Sequence, residues 1–229
     1  MGRVLTTAQA RAFYDRLGAR QDAQSFYEDR ALQVLVDHGT FSTATSVFEF
    51  GCGTGRFAKR LLAQALAPEA RYVGVDVSST MVRLAREQLR HWPDRAQVRF
   101  SDGSTKLEVA DNSFDRFVST YVLDLLSEED ISCLLAEAAR ILTDDGLLCL
   151  ASLTYGDKPL SKLVPWAWEQ VHVLHPLLVG GCRPIRLLGF LPTNRWRVRH
   201  REVVSAFGVS SEVVIAARVA TREPGLCQP

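Results

Sequence analysis

Apolar positions follow two rhythms along this chain, helical spacing and short unbroken runs, and the two alternate. Residues 7–38 hold two helical stretches, the second with Phe26, Leu32, Leu35 and Val36 on one side, before the turn-prone segment FSTATS. These helices precede the first run and are placed to cover its end. Val47–Phe50 reads as a short strand that stops at Gly51-Cys-Gly-Thr-Gly55. Beyond the glycines, Phe57, Leu61, Leu62, Ala65 and Leu66 form the core-facing stripe of a helix.

The same unit then repeats. Arg71–Val75 is a second strand ending at Asp76, and Ser78 or Ser79 caps a helix bearing Met81, Leu84, Ala85 and Leu89. A third strand, Gln97–Phe100, ends at Ser101-Asp102-Gly103, and a fourth spans Phe114–Thr120. Ser127 caps the next helix, whose Glu128, Glu129 and Asp130 suit its positive end and whose Ile131, Leu134, Leu135, Ala138 and Leu142 are its buried stripe. Asp144-Asp-Gly146 turns into a fifth strand, Leu147–Leu153. Lys162–Leu178 then reads as an apolar helical segment, followed by Gly180-Gly181 and a short helical turn at 184–189. A hairpin closes the pattern, with strands Arg195–Ser205 and Ser211–Val219 joined near Gly208. Helical crossovers make the earlier strands parallel, and the hairpin makes the last pair antiparallel. The predicted architecture is α/β, a doubly wound, mostly parallel seven-stranded sheet with an antiparallel C-terminal edge hairpin.

Composition narrows the function. The 229 residues are 47% apolar and 23% charged, enough for one generous domain with a full core and cramped for two. Twenty-seven basic minus 26 acidic residues leaves +1, which argues against a general nucleic-acid coat. The cysteines Cys52, Cys133, Cys149, Cys182 and Cys227 are scattered without a C-x-x-C, so neither a disulfide framework nor a zinc knuckle is expected, and a reduced cytoplasm fits. The opening residues lack a signal-type apolar core, and Gly2 with Thr6 is only a loose myristoylation match. The stretch Val171–Gly181 is broken by His172, His175 and Pro176, so no membrane span is expected, while peripheral membrane contact stays open.

The chemistry concentrates at strand ends. Glycines between a strand and a helix let the backbone turn tightly and approach a ligand closely. In open parallel sheets ligands bind beyond the carboxyl ends of the strands, where Gly51–Gly55, Asp76 and Asp102 all fall. Asp76 follows Gly55 by 21 residues, where a carboxylate can accept both hydroxyls of a ribose, and Asp102 can accept an exocyclic amine such as that of adenine. A nicotinamide or flavin enzyme is the nearest rival, but its fingerprint is G-x-G-x-x-G, whereas this loop is G-x-G-x-G followed by Arg56.

Through Val47-Phe-Glu-Phe-Gly-Cys-Gly-Thr-Gly-Arg56, Tyr72-Val-Gly-Val-Asp-Val77, Ser101-Asp-Gly103 and Glu137-Ala-Ala-Arg-Ile-Leu-Thr-Asp-Asp-Gly146, the chain resembles the class I S-adenosylmethionine-dependent methyltransferases. The likeness is close over 47–153 and looser through the hairpin, which looks like that family's reversed edge strand. It implies S-adenosylmethionine as cofactor, with Gly51, Gly53 and Gly55 as its loop, Cys52, Val77 and Gly103 beside it, Asp76 on the ribose and Asp102 on the adenine. Glu49 would organise the loop or meet the methionine amino group. The chain would then divide into an N-terminal helical lid (1–45), a cofactor-binding core (46–154), a substrate-cover insertion (155–192) and a hairpin with tail (193–229).

The sulfonium of that cofactor already activates the methyl group, so the protein's work is alignment and exclusion of water. A carbon acid or a phenol as nucleophile also needs a base, for which Tyr14, Tyr121, Asp124, His172 and His175 are weak candidates. His172 and His175 have helical spacing, but no third ligand is visible and Pro176 disturbs the helix, so no metal is expected. Ser119-Thr-Tyr-Val122 stands where enzymes that methylate planar amines carry Asn/Asp-Pro-Pro-Tyr/Phe, which disfavours adenine or glutamine as acceptor. Trp166 and Trp168 belong to core packing or to an apolar substrate wall. Arg195, Arg197, Arg199 and Arg201 alternate and so share one strand face, either as a solvated edge or as a contact for phosphate, anionic lipid or RNA. The favoured reading is methyl transfer to a small, apolar or amphipathic acceptor, in the manner of quinone-biosynthesis methyltransferases. RNA or protein methylation, and a noncatalytic S-adenosylmethionine-binding regulator, are the alternatives.

Overall fold

The computed structural model describes residues 4–155 and 182–219. Helices α1 (Thr7–Leu17) and α2 (Ser25–His38) precede β1 (Ser46–Phe50), and α3 (Arg56–Arg60) follows it. Next come β2 (Arg71–Asp76), α4 (Ser79–Gln88), β3 (Ala96–Phe100), β4 (Phe114–Thr120), α5 (Glu128–Ile141), β5 (Leu142–Leu153), β6 (Trp196–Ala206) and β7 (Val209–Arg218). They form one seven-stranded sheet in the order β3-β2-β1-β4-β5-β7-β6, parallel through β5 and antiparallel in the last two pairings. The chain is therefore a Rossmann-like α/β fold.

Alternate residues of the central strands feed two cores. Val47, Tyr72, Val118 and Ile215 pack under α2, α3 and α4, while Phe48, Phe117, Leu150 and Val214 pack against α5. Both faces being covered is why these strands read as apolar runs rather than as alternating ones. β1 has β2 on one side and β4 on the other, so the strand order reverses there and a crevice opens at the carboxyl ends.

Three local expectations need correction. The helix after the glycines is α-helical only to Arg60 and continues as a π-turn over Leu61–Ala65, closed by Leu66 N–H to Leu61 C=O at 2.8 Å. The extra residue per turn keeps Leu61 and Leu62 both buried. The fifth strand begins before its predicted turn, since Leu142 already pairs with Phe114 and Asp144-Asp145-Gly146 lies within the register shift that follows. The arginine row is not one face. A bulge between Val198 and His200 sets Arg197 opposite Ala217 but Arg201 opposite Val214, three positions apart on β7 and so on opposite sides. Arg201 donates from Nε to Oε1 of the fully buried Glu212 at 2.7 Å, which also accepts the Leu187 N–H at 2.7 Å, so this arginine is committed to the fold.

Candidate active site

The glycine loop is built by contacts that a side chain would forbid. At Gly51, φ is +77° and an added Cβ would lie 2.3 Å from Val122 Cγ2, so β1 turns directly against the end of β4. Gly55, at φ +81°, sits with its missing Cβ 2.9 Å from the Ala85 backbone, which lets α3 lie close against α4. The Gly51 and Cys52 N–H groups both donate to the Val75 carbonyl, at 2.9 and 3.0 Å, tying the loop to β2. Asp76 then takes the Gly53 N–H on Oδ2 and the Ser78 N–H on Oδ1, each at 2.9 Å. Burial raises the Asp76 pKa above the ordinary carboxylate value and the nearby Asp15 adds to this, while the two amides pull the other way.

These elements wall a cavity at the reversal point. Its loop side is Phe50, Gly51, Gly53, Asp76, Val77 and Gly103. Its opposite side is Tyr14, Tyr121, Val122, Leu125 and Leu126. Of the residues expected here, Glu49 and Cys52 lie beneath the loop rather than in the wall. Glu49 is 1% exposed, accepts the Tyr72 phenol proton at 2.6 Å, and is pushed up to about 7 by burial. Burial likewise pushes the Cys52 thiol well up, which leaves it an inert small residue. Asp102 is exposed and its Oδ1 accepts the Ser104 N–H at 2.8 Å, so the wall there is Ser101 and Gly103 on either side of it.

The N-terminal helices supply residues that the motif reading did not single out. Asp15 accepts the Ser78 hydroxyl at 2.6 Å and the Thr80 N–H at 3.1 Å, and these bonds lower its pKa. Arg11 Nε donates to the Val77 carbonyl at 3.0 Å and its guanidinium lies over the Phe100 ring. The Thr54 hydroxyl donates to Asp22 at 2.7 Å, and Arg56 pairs with Glu28 at 2.7 Å and with Asp29. Gln21 lines the cavity opposite Gly53, and its buried Oε1 has no hydrogen-bond partner. These are ordinary residue types at ordinary spacings, and only the folded chain brings them to the loop.

The wall away from the loop holds two of the candidate bases, Tyr14 and Tyr121, and a third, Asp124, is buried outside the lining. Tyr121 has φ +56°, a left-handed conformation uncommon for an aromatic residue, and its hydroxyl lies 2.9 Å from Ser211 Oγ. Asp124 is fully buried; no side chain bonds its oxygens, its own and the Leu153 backbone N–H groups pull its pKa down, and burial outweighs them and pushes it up to about 7. Tyr14 hydrogen-bonds the Cys182 thiol, and both are pushed well up by burial and by the charge of Asp124. His172, His175, Trp166 and Trp168 lie outside the described residues. Among the described residues His38, His200 and Glu202 bring three ligand atoms within 4.8 Å. The two imidazoles stack at 3.6 Å with planes 9° apart, so their in-plane lone pairs do not converge on one ion.

A methyltransferase-domain family model matches residues 47–146, the stretch that carries the glycine loop, Asp76 and Asp102. Residues 47–146 are thus a methyltransferase domain. Among relatives, malonyl-[acyl-carrier protein] O-methyltransferase of Geobacter sulfurreducens is 33% identical over 152 residues, covering 66% of this chain and 52% of that protein. Arsenite methyltransferase of Aquipseudomonas alcaligenes is 32% identical over 142 residues, covering 59% of this chain and 39% of that one. The match thus spans about half the length of these relatives or less. A solved structure of the [4+2]-cyclase SpnF superposes with TM-score 0.71 at 16% identity, covering 94% of this chain and 98% of that one, which is a likeness of fold.

S-adenosylmethionine is the cofactor of this methyltransferase family, and the cavity fits it. The orphaned Gln21 oxygen opposite the Gly53 backbone offers an acceptor to an ammonium group, and Asp76 holds a fixed carboxylate at the loop. Among the described residues no helix is long and apolar enough to cross a membrane.

Proposed function

We propose that the methyltransferase domain transfers the methyl group of S-adenosylmethionine to a small, apolar or amphipathic acceptor by in-line displacement. The observation that carries the reading is one cavity with a glycine loop and Asp76 on one side and an apolar, tyrosine-bearing wall on the other. Gly51, Gly53 and Gly55 set the backbone that the cofactor lies along, Asp76 takes the ribose hydroxyls, and Gly103 with Val77 borders the adenine. Asp102 reaches the adenine by giving up its bond to Ser104. Gln21 meets the methionine end, while Glu49 and Cys52 support the loop from beneath. When bound, the cofactor supplies a methyl group already activated by its sulfonium. This chain's residues align the acceptor and keep water out, α1 and α2 acting as a lid, α1 pinned by Asp15 and Arg11 and α2 by Glu28 and Asp29 on Arg56.

Both relatives act, by name, on acceptors that are not nucleic acid, a protein-carried malonyl group in one and arsenite in the other. A second reading is cofactor binding that serves chemistry other than methyl transfer, favoured by the fold likeness to a cyclase. A first test is thermal: S-adenosylmethionine and S-adenosylhomocysteine raise the melting temperature and NAD does not, since a ligand of the folded state alone stabilises it by mass action. Incubation with methyl-labelled cofactor and a fractionated cell extract then separates the two readings. Label in a small molecule supports transfer, label in RNA or protein moves the acceptor class, and binding without transfer favours the second.

A further inference from the structure

We infer that Asp15 is a positioning residue for the cofactor: from α1 it fixes the turn that carries Asp76, so that docking of α1 and binding of the ribose are linked. The inference deepens the proposed reading and rests on Asp76 as the ribose ligand. No side chain of α1 is fully buried, so polar contacts carry much of its seating. Those contacts form one stripe at helical spacing. Thr7 lies against Gly103 after β3, where an added Cβ would come 2.3 Å from its Cγ2. One turn on, Arg11 Nε donates to the Val77 carbonyl at 3.0 Å, and a turn further Asp15 Oδ1 accepts the Ser78 hydroxyl at 2.6 Å and the Thr80 N–H at 3.1 Å. Ala10 and Tyr14 of the same helix line the cavity.

The turn between β2 and α4 is short, and its bonds run in series. The Ser78 hydroxyl donates to Asp15 and accepts the Met81 N–H at 3.1 Å, which caps α4, while the Ser78 N–H donates to Asp76 Oδ1 at 2.9 Å. Asp15 thus holds Ser78 by its side chain, and Ser78 holds Asp76 by its backbone. The other Asp76 oxygen takes the Gly53 N–H at 2.9 Å. Amides from two separate loops therefore aim this carboxylate into the cavity edge, and a shift of Ser78 turns it. Asp15 is the one side chain of α1 that grips Ser78, and it does so across 63 positions of sequence.

Charge and geometry give Asp15 opposite signs, which separates them. Burial raises the Asp76 pKa and the Asp15 charge adds to it, so removal of that charge favours the ionised Asp76. By charge alone, loss of Asp15 leaves the ribose contact unchanged or tighter. Loss of its grip on Ser78 loosens the contact instead. An acid that did no more than help cap α4 would change stability and leave affinity alone. The coupling is also reciprocal: whatever free energy docked α1 lends to the cofactor, the cofactor returns to the docking of α1. The amides of α1 should then exchange with solvent more slowly when the cavity is filled.

Calorimetric titration with S-adenosylhomocysteine, followed by hydrogen exchange, tests this. Asp76→Ala must weaken binding first, and an unchanged affinity there removes the ribose reading itself. Asp15→Ala should weaken binding about tenfold, whereas Asp15→Asn, which keeps an oxygen to accept from Ser78 and Thr80, should stay within about threefold of the wild type. Added to Asp76→Ala, the change Asp15→Ala should cost less than about twofold more, since Asp15 acts through Asp76. Saturating S-adenosylhomocysteine should slow amide exchange over residues 7–17 of the wild type, and Asp76→Ala should lose most of that slowing. Unchanged or tighter binding in Asp15→Ala, equal losses in Asp15→Asn and Asp15→Ala, full additivity with Asp76→Ala, or exchange in α1 indifferent to the ligand would overturn the inference. Should Asp15→Ala fail to fold by circular dichroism, the exchange comparison of wild type with Asp76→Ala decides it.

Discussion

Glu49→Gln should stabilise the cofactor-free protein near pH 8 and leave it nearly unchanged near pH 5. Glu49 is 1% exposed beneath the glycine loop, and burial, with a contribution from Asp76, lifts it from an ordinary 4.5 to about 7 against the opposing Tyr72 hydrogen bond. A carboxyl raised in the folded state binds its proton more tightly there than in the unfolded chain. Its stabilising contribution is complete below about pH 4.5 and is lost as pH rises through about 7. The gap corresponds to on the order of 3 kcal/mol of stability forfeited once the group is ionised. Glutamine keeps a carbonyl to accept the Tyr72 proton, and its NH2 takes the place of the hydroxyl that the protonated acid already carries. Urea unfolding followed by circular dichroism at the two pH values measures the difference directly. The wild type should lose stability between them and the variant should lose less, by up to about 3 kcal/mol, with the remaining slope due to Glu28 and Asp124. Equal destabilisation of the variant at both pH values would refute the reasoning, because it would mean that Glu49 is held ionised and satisfied.

Asp76→Ala should weaken S-adenosylmethionine binding by roughly 2 kcal/mol in calorimetry, the scale of lost charge-assisted hydrogen bonds, and an unchanged affinity in a folded variant would move the ribose site elsewhere. Gly51→Ala should lower stability by about 2 kcal/mol or more, because its Cβ meets Val122 at 2.3 Å and φ is +77°, and adding Val122→Ala should restore part of that loss in the same melting assay. Arg201→Ala should cost about 2 kcal/mol by leaving Glu212 buried and short of a partner, discounted for the half-open side of the pair, whereas Arg199→Ala should stay within about 0.5 kcal/mol. Equal effects at the two arginines would restore the picture of a uniform solvated row.

What could be read from the chain and what could not divides along physical lines. Strands covered on both faces must be apolar throughout, so β1, β2 and β4 stand out as runs, and a glycine loop or an acid at their ends is visible because the strand end itself is. Asp76 kept its expected place because two backbone amides fix it, whereas Asp102 shows the competing habit of aspartate, bonding its own chain two residues on. The arginine row failed through one extra residue, since a single bulge reverses every side chain beyond it while leaving the composition untouched. The pins from α1 and from the segment that joins it to α2 were invisible for a different reason. Asp15 reaches Ser78 across 63 positions and Asp22 reaches Thr54 across 32, and no local pattern distinguishes them from solvated acids. The same argument bears on the wall opposite the loop. Tyr121 and Asp124 were visible as polar residues at a strand end, but the burial of Asp124 depends on α1, α2 and residues 182–183 arriving from separate parts of the chain. Tyr121 is held at φ +56° by that convergence, through Ser211 on one side and the edge of the Tyr27 ring on the other. A strained aromatic residue persists only where its surroundings over-determine it. The strain therefore marks the stretch after β4, which borders the cavity opposite the glycine loop, as a place where the fold accepts a cost to set geometry.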